Sequence, residues 1–220
     1  MSDITYGQVA TFNTHPEAAI PSESPLSVAF NQISVSTPAP AVNHASGVRL
    51  EEKAFLGHLI LRGGAIVLDE AVRKVLGISL PGQPLGLALD ESGERSVQWL
   101  SPDEWLLIVP GGEEFEVEQR LRDALGDAHY AIVDASGGQT LVSLEGEKAR
   151  ELLMKSTNYD VHPSNFPVGK AVSVVFAKSS LILRRPAEDR YELVLRRSFA
   201  DYLYRWILDA GAEYGIGVQR

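Results

Sequence analysis

The chain has 220 residues, 45% of them hydrophobic and 22% charged, which is enough for a full core and at most two small domains. Its formal net charge of -9 argues against DNA or RNA as the main partner, because phosphate binding needs a basic surface. There is no cysteine, which excludes a disulfide framework, a thiolate nucleophile, and an iron–sulfur or zinc site held by sulfur.

The opening residues Met1 to Thr5 lack the basic and apolar regions of a signal peptide. No apolar run approaches the roughly 20 residues that cross a bilayer. The expectation is a cytoplasmic protein with no membrane and no nucleic-acid partner.

Residues 1–48 are rich in Ser, Pro, Ala, Thr and Asn and have little periodicity, so they read as an extended or disordered N-terminal arm. The apolar cluster Pro25, Leu26, Val28, Ala29, Phe30 and Ile33 interrupts it. It is either part of a disordered tail or a segment that docks on the core or a partner. Order is expected from about Glu51. Phe55 to Arg62 reads as a strand ended by Gly63-Gly64, and Asp69 as the cap of a short helix with Val72, Val75 and Leu76 inward and Gly77 as its stop. Arg95–Leu100 and Trp105–Val109 read as a hairpin turning at Ser101-Pro102-Asp103-Glu104, with Pro102 suited to the second position of a type I turn. Trp99 and Trp105 flank that turn and read as packing residues.

The spacing then predicts a helix over Glu113–Leu125, with Val117, Leu121, Ala124 and Leu125 on one face, closed by Gly126. Strands follow at Tyr130–Asp134 and Gln139–Leu144, joined through Ser136-Gly137-Gly138. The next helix runs from Glu147 to Met154 with Ala149, Leu152 and Leu153 inward. A Pro-broken loop over Asn158–Gly169 precedes strands at Ala171–Lys178, Ser180–Arg185 and Tyr191–Arg196, the last alternating as a half-buried strand should. Ser198 and Asp201 form a capping-box variant opening the closing helix. Its apolar stripe is Phe199, Tyr202, Leu203, Trp206, Ile207 and Ala210, so Phe199, Tyr202 and Trp206 are expected to anchor the second half of the fold. The sum is an α+β protein of two related antiparallel-sheet and helix halves, about 49–127 and 128–220, within one 49–220 domain.

Chemistry is sparse. The five histidines, His15, His44, His58, His129 and His162, have no metal-ligand spacing, and no nucleophile elbow, phosphate loop or dinucleotide fingerprint is present. Asp134 ends a strand before a glycine turn, and is either an Asx turn or the remnant of a binding or catalytic acid. Arg184-Arg185 and Arg196-Arg197 are either solvated strand ends or contacts for an acidic partner surface. A chain without a self-contained active site favours a subunit of something larger.

Four segments resemble, in order, the gamma subunit family of heterotetrameric sarcosine oxidase. The most specific is Arg197-Ser198-Phe199-Ala200-Asp201-Tyr202-Leu203 with Trp206. The others are Pro102-Asp103-Glu104-Trp105 with Leu106-Leu107, Val133-Asp134-Ala135-Ser136 with Leu144–Leu153, and Asp160-Val161-His162-Pro163 with Phe166-Pro167-Val168-Gly169. The family often has a cysteine and a Gln-Thr pair after Gly169, where Lys170-Ala171-Val172-Ser173-Val174 stands here. The resemblance implies a fold similar to the folate-binding domain of aminomethyltransferases. It also implies alpha, beta and delta partner subunits in a complex that oxidatively demethylates sarcosine to glycine. The complex's FAD, covalent FMN, NAD and tetrahydrofolate would belong to those larger subunits, leaving this one accessory and structural, without catalytic, cofactor or metal residues of its own beyond the candidate Asp134. Two alternatives stay open: a gamma-like subunit of another N-methyl amino acid oxidising complex, such as one acting on N-methylglutamate, and a stand-alone folate-binding protein of the same superfamily.

Overall fold

The structure, a computed structural model, describes residues 23–30 and 46–219. Eleven strands among these form two sheets. The first has the order β3-β4-β5-β2-β6, from β2 (Gly57–Gly63), β3 (Leu87–Leu89), β4 (Ser96–Ser101), β5 (Glu104–Val109) and β6 (Tyr130–Asp134). The second has the order β11-β1-β7-β10-β9-β8, from β1 (Val48–Lys53), β7 (Gln139–Glu145), β8 (Lys170–Phe176), β9 (Ser179–Ala187), β10 (Arg190–Arg196) and β11 (Ile216–Gln219). All pairings are antiparallel except the parallel pair β1–β11 at one edge.

The helices α1 (Ala65–Leu76) and α2 (Glu114–Leu125) cover the outer face of the first sheet. The outer face of the second is covered by α3 (Ala149–Ser156) and α4 (Ala200–Ala210). Strand pleating sorts the side chains between layers. In β5, Trp105, Leu107 and Val109 join the α1–α2 core, whereas Leu106 and Ile108 pack with Leu141 and Val194 of the opposite sheet. The result is a four-layer α/β/β/α sandwich with two large apolar cores and a thin third cluster between the sheets. The layers are stitched at one side, where Leu87 N–H donates to Gly169 O at 2.8 Å and Ala171 N–H to Leu85 O at 2.8 Å.

The two sheets do not separate at 127/128. Strand β1 precedes that point yet pairs with β7, and β6 follows it yet pairs with β2. Each expected half therefore supplies one strand to the other's sheet.

Several local readings change. Helix α1 begins at Ala65 after Gly64, so Asp69 lies inside it rather than capping it. Its Oδ1 accepts the Leu80 N–H at 2.8 Å and so ties down the segment after the helix. Gly77 does stop the helix, at φ +73° with its N–H on Arg73 O. Strand β10 is buried on both faces, Glu192 and Val194 included, because it is central to the sheet and faces the opposite one.

The closing helix differs most. Arg197–Phe199 form a 3-10 turn, α4 starts at Ala200, and no side-chain cap bond closes at its N-terminus. Asp201 instead accepts the Arg205 Nε–H at 3.0 Å. The buried stripe is Ala200, Leu203, Tyr204 and Ile207, while Phe199 is 41% and Tyr202 38% exposed. The helix is rotated about one position from the predicted face. Leu26, Ala29 and Phe30 explain the rotation: they pack into the second core, and Phe30 meets Tyr204 edge-on at 5.1 Å. This apolar cluster thus docks on the core, whereas the rest of the expected arm, residues 1–22 and 31–45 with Ile33, lies outside the described residues.

Candidate functional site

The motif residues come first. Trp105 is buried with its Nε1–H on Pro81 O at 3.3 Å, and it pairs across the hairpin with Trp99. Pro102 and Asp103 form the two-residue loop before Glu104. The Asp103 carboxylate accepts from Ser101 Oγ at 2.9 Å and from Arg62 Nε at 3.2 Å, and these two contacts hold its pKa below the ordinary carboxylate value. Asp103 O also accepts the Gly63 N–H at 3.0 Å. This segment pins a hairpin; its polar groups are consumed in doing so.

The loop before β8 is similarly self-satisfied. Asp160 accepts the His162 N–H at 2.9 Å, His162 Nδ1 lies 2.7 Å from Ser164 Oγ, and Asn165 Nδ2 donates to Asp160 O at 2.8 Å. These bonds present Val161 and Phe166 to the core, where Phe166 stacks on Tyr191 at 6.3 Å. Arg185, expected at a solvated or partner-facing strand end, is buried: Nη1 donates to Phe166 O at 2.7 Å and its guanidinium lies over the Tyr191 ring. Arg196 is exposed, and so is Arg197, whose backbone N–H bonds Gly138 O at 2.9 Å and whose Nη2 donates to Glu23 O at 3.2 Å.

Asp134 is exposed, and its Oδ1 accepts the Ser136 N–H at 2.8 Å in an Asx turn. Ser136 Oγ in turn accepts the His58 N–H at 2.9 Å. A pterin or other folate fragment needs an enclosed, largely apolar slot with polar groups converging on it. One surface hollow of about 520 Å3 is open and lined by Arg49, Glu145, Glu188, Asp189 and Arg190 rather than by Asp134. Asp134 is instead exposed, with its Oδ1 engaged in the Asx turn. Among the described residues no group of three His, Asp or Glu could hold a metal ion.

Two features remain that chemistry has not consumed locally. One is the aromatic pair Phe199 and Tyr202, three residues apart, with rings partly in solvent beside the exposed Arg197 and Ser198. Ala200 and Trp206 of the same motif face inward; Trp206 is partly buried and its Nε1–H donates to Ser156 Oγ at 3.1 Å. Partly exposed aromatics beside arginine are the composition of an interaction surface.

The other lies between the sheets and was not expected. His58, Ser96, Gln98, Ser143, Arg184 and Glu192 are all at most 8% exposed. Arg184 Nη2 pairs with Glu192 at 2.8 Å and donates to Ser96 Oγ at 2.9 Å, so one guanidinium bridges the two sheets. His58 Nδ1 is 2.9 Å from Leu56 O, and burial first, then Arg184, pushes its pKa below 6.5 against the upward pull of Leu56 O and Asp134. The sequence did carry a signal: Glu192 and Arg184 interrupt apolar strands at positions whose neighbours are all buried.

The fold and these surfaces define an α+β chain with an aminomethyltransferase-like fold whose motif side chains are largely spent on structure. The fold is shared with glycine cleavage system aminomethyltransferase T from Bartonella henselae, at TM-score 0.58 and 14% identity, over 79% of this chain and 48% of that one. The particular family is given by sequence: the model of the sarcosine oxidase, gamma subunit family matches residues 63–213, and the chain belongs to that family. It is 34% identical over 175 residues to sarcosine oxidase subunit gamma of Corynebacterium sp. (strain P-1), covering 77% of this chain and 83% of that protein. In the solved heterotetrameric sarcosine oxidase from Corynebacterium sp. U-96, one chain matches at TM-score 0.75 and 28% identity, over 90% of this chain and 99% of that one.

Proposed function

We propose that this chain is the accessory gamma subunit of a heterotetrameric flavoprotein sarcosine oxidase, which oxidatively demethylates sarcosine to glycine. The observation that carries this reading is the match to a chain of a solved heterotetramer over 99% of that chain. On this reading alpha, beta and delta subunits hold FAD, FMN, NAD and tetrahydrofolate, and the complex works in the cytoplasm. No helix among the described residues is long and apolar enough to cross a membrane. On this reading residues 49–220 act as the domain, joined by Val48 of β1 and by Leu26, Ala29 and Phe30 docked on its second core.

This subunit contributes shape and surface to the assembly. Its motif residues Pro102 to Trp105 and Arg197 to Trp206 build the hairpin and closing helix that frame that surface, and Phe199 and Tyr202 face the partner. The turn geometry of Asp134 weighs against the stand-alone folate-binding reading. The test is co-expression with the neighbouring large subunits. The full chain is expected to co-purify with a flavin-containing complex that turns over sarcosine faster than N-methylglutamate. Failure to co-purify overturns the reading, and the reverse substrate preference reassigns the complex. Phe199→Ala with Tyr202→Ala is expected to lower recovery of the complex while leaving the chain folded.

A further inference from the structure

A hollow of about 390 Å3 lies between α3 and the loop that follows it, lined by Arg150 and Met154 on one side and by Tyr159, Asp160, Val161 and His162 on the other. Helix spacing builds the first wall: Arg150 and Met154 are four residues apart on α3 and so share a face. Turn chemistry builds the second. Tyr159 N–H donates to Thr157 Oγ1 at 3.2 Å, and His162 N–H donates to Asp160 Oδ1 at 2.9 Å. Tyr159 packs edge-on to Phe166 at 5.7 Å and Val161 is 2% exposed, so this wall is anchored in the second core. Met154 is 64% exposed, a large apolar side chain without cover.

The charges of this hollow are unmatched. Arg150 and Asp160 line it with opposite sign, yet among the described residues neither makes an ion pair, with the other or with a third group. Glu151, next to Arg150 in the chain, is paired with Lys148 at 3.0 Å instead. Asp160 spends only Oδ1 on its turn. His162 adds a donor: Ser164 N–H donates to its Nδ1 at 3.3 Å, which makes Nδ1 the acceptor and places the proton of the neutral ring on Nε2. One guanidinium, one ring N–H, one carboxylate and three apolar side chains thus share a concave space whose size suits a small ligand. A ligand of single charge would answer one of the two ions and leave the other unpaired. A zwitterion answers both.

We propose that this hollow binds a free α-amino acid with an apolar side chain. Its carboxylate takes Arg150, with His162 Nε2–H as a second donor, and its ammonium takes Asp160. Its side chain covers Met154, Tyr159 and Val161. The site is built by this chain alone and is independent of the proposed place of the chain in an oxidase complex.

The probe is L-leucine, titrated into the full chain by calorimetry. It is expected to bind. Two analogues each lack one charge: 4-methylpentanoate has no ammonium and 3-methylbutylamine has no carboxylate. Each should bind at least about tenfold more weakly, the loss that goes with one charge-assisted hydrogen bond. Arg150→Met and Asp160→Asn should each weaken leucine by a similar factor. Both keep the length of the side chain, and an amide oxygen at position 160 still accepts the His162 N–H, so the loop keeps its turn. Arg49→Met, in an exposed pair outside the hollow, should leave the affinity unchanged. No binding of L-leucine, equal binding of either analogue, or an unchanged affinity in Arg150→Met or Asp160→Asn each overturns the proposal.

Discussion

At the scale of single residues, two tyrosines two positions apart in α4 have opposite fates. Tyr204 is 2% exposed and packs edge-on to Phe30, whereas Tyr202 is 38% exposed. Replacing Tyr204 by Ala opens a cavity for a large aromatic and is expected to cost about 3–5 kcal/mol. Tyr202→Ala should stay within about 0.5 kcal/mol. Urea midpoints of the two variants check the ordering; equal losses would return the helix to the predicted face. His58 supplies a pH prediction. Its imidazole is 0% exposed and its pKa is lowered in the folded chain, so around and below about 6.5 the unfolded chain binds the extra proton. The contribution of the neutral ring is fully present above pH 6.5 and is lost as pH falls from there towards the folded value. The charges facing the ring are Arg184 on β9, which disfavours protonation, and Asp134 on β6, which favours it. His58→Gln should lose less stability than the parent chain between pH 7 and 5.5. Parallel curves would show that His58 titrates alike in both states.

At the scale of elements, the sequence reveals what alternates or repeats strongly and hides what depends on neighbours. Strands β6 and β7, helix α2 and the Pro102 hairpin stand within a residue or so of their predicted bounds, because each has its own turn residues and apolar period. Strand β1, Val48–Lys53, was hidden because its last four residues include Glu51, Glu52 and Lys53; the pairing with β7 and β11 makes it a strand. Strands β3 and β11 are three and four residues long, too short for periodicity to register. The face of α4 was misread by one position because its cover is Leu26 and Phe30, some 170 residues away in the chain. The buried arginines were misread for the same reason, since their partners Ser96 and Phe166 come from distant segments. Gly211 shows the same dependence on tertiary contact. Its φ of -94° is open to any residue, so it is not needed as a left-handed stop. A Cβ there would instead stand 2.4 Å from Ile216 Cδ1 and 2.9 Å from Leu152 Cδ1. Gly211→Ala should therefore overpack the junction of α3, α4 and β11 and destabilise by about 1–3 kcal/mol, read as a drop in thermal midpoint. An unchanged midpoint would mean that the β11 segment yields freely.

At the scale of the whole molecule, strand exchange couples what the sequence divides. A piece covering 49–127 keeps β2, β3, β4 and β5 but lacks β6, whose Ile132 belongs to the first core. It also carries β1 with no β7 or β11 to pair with. The complementary piece, 128–220, lacks β1, whose Val48 and Leu50 are fully buried in the second core, and exposes the flank of β7. Both pieces open the inter-sheet layer, and 128–220 strands Arg184 and Glu192 without Ser96 above them. A buried charge pair that loses its cover is costly to keep, and unpaired strand flanks invite association. The two pieces expressed separately are therefore expected to be unfolded or aggregated, and to regain a native-like circular dichroism spectrum only when mixed. The intact chain should unfold in one cooperative step by both far-ultraviolet signal and tryptophan fluorescence, since Trp99 and Trp105 sit in the first core and Trp206 against the second. Two separated transitions, or a soluble, protected 128–220 fragment, would show that each half folds on its own and that the exchanged strands are added afterwards.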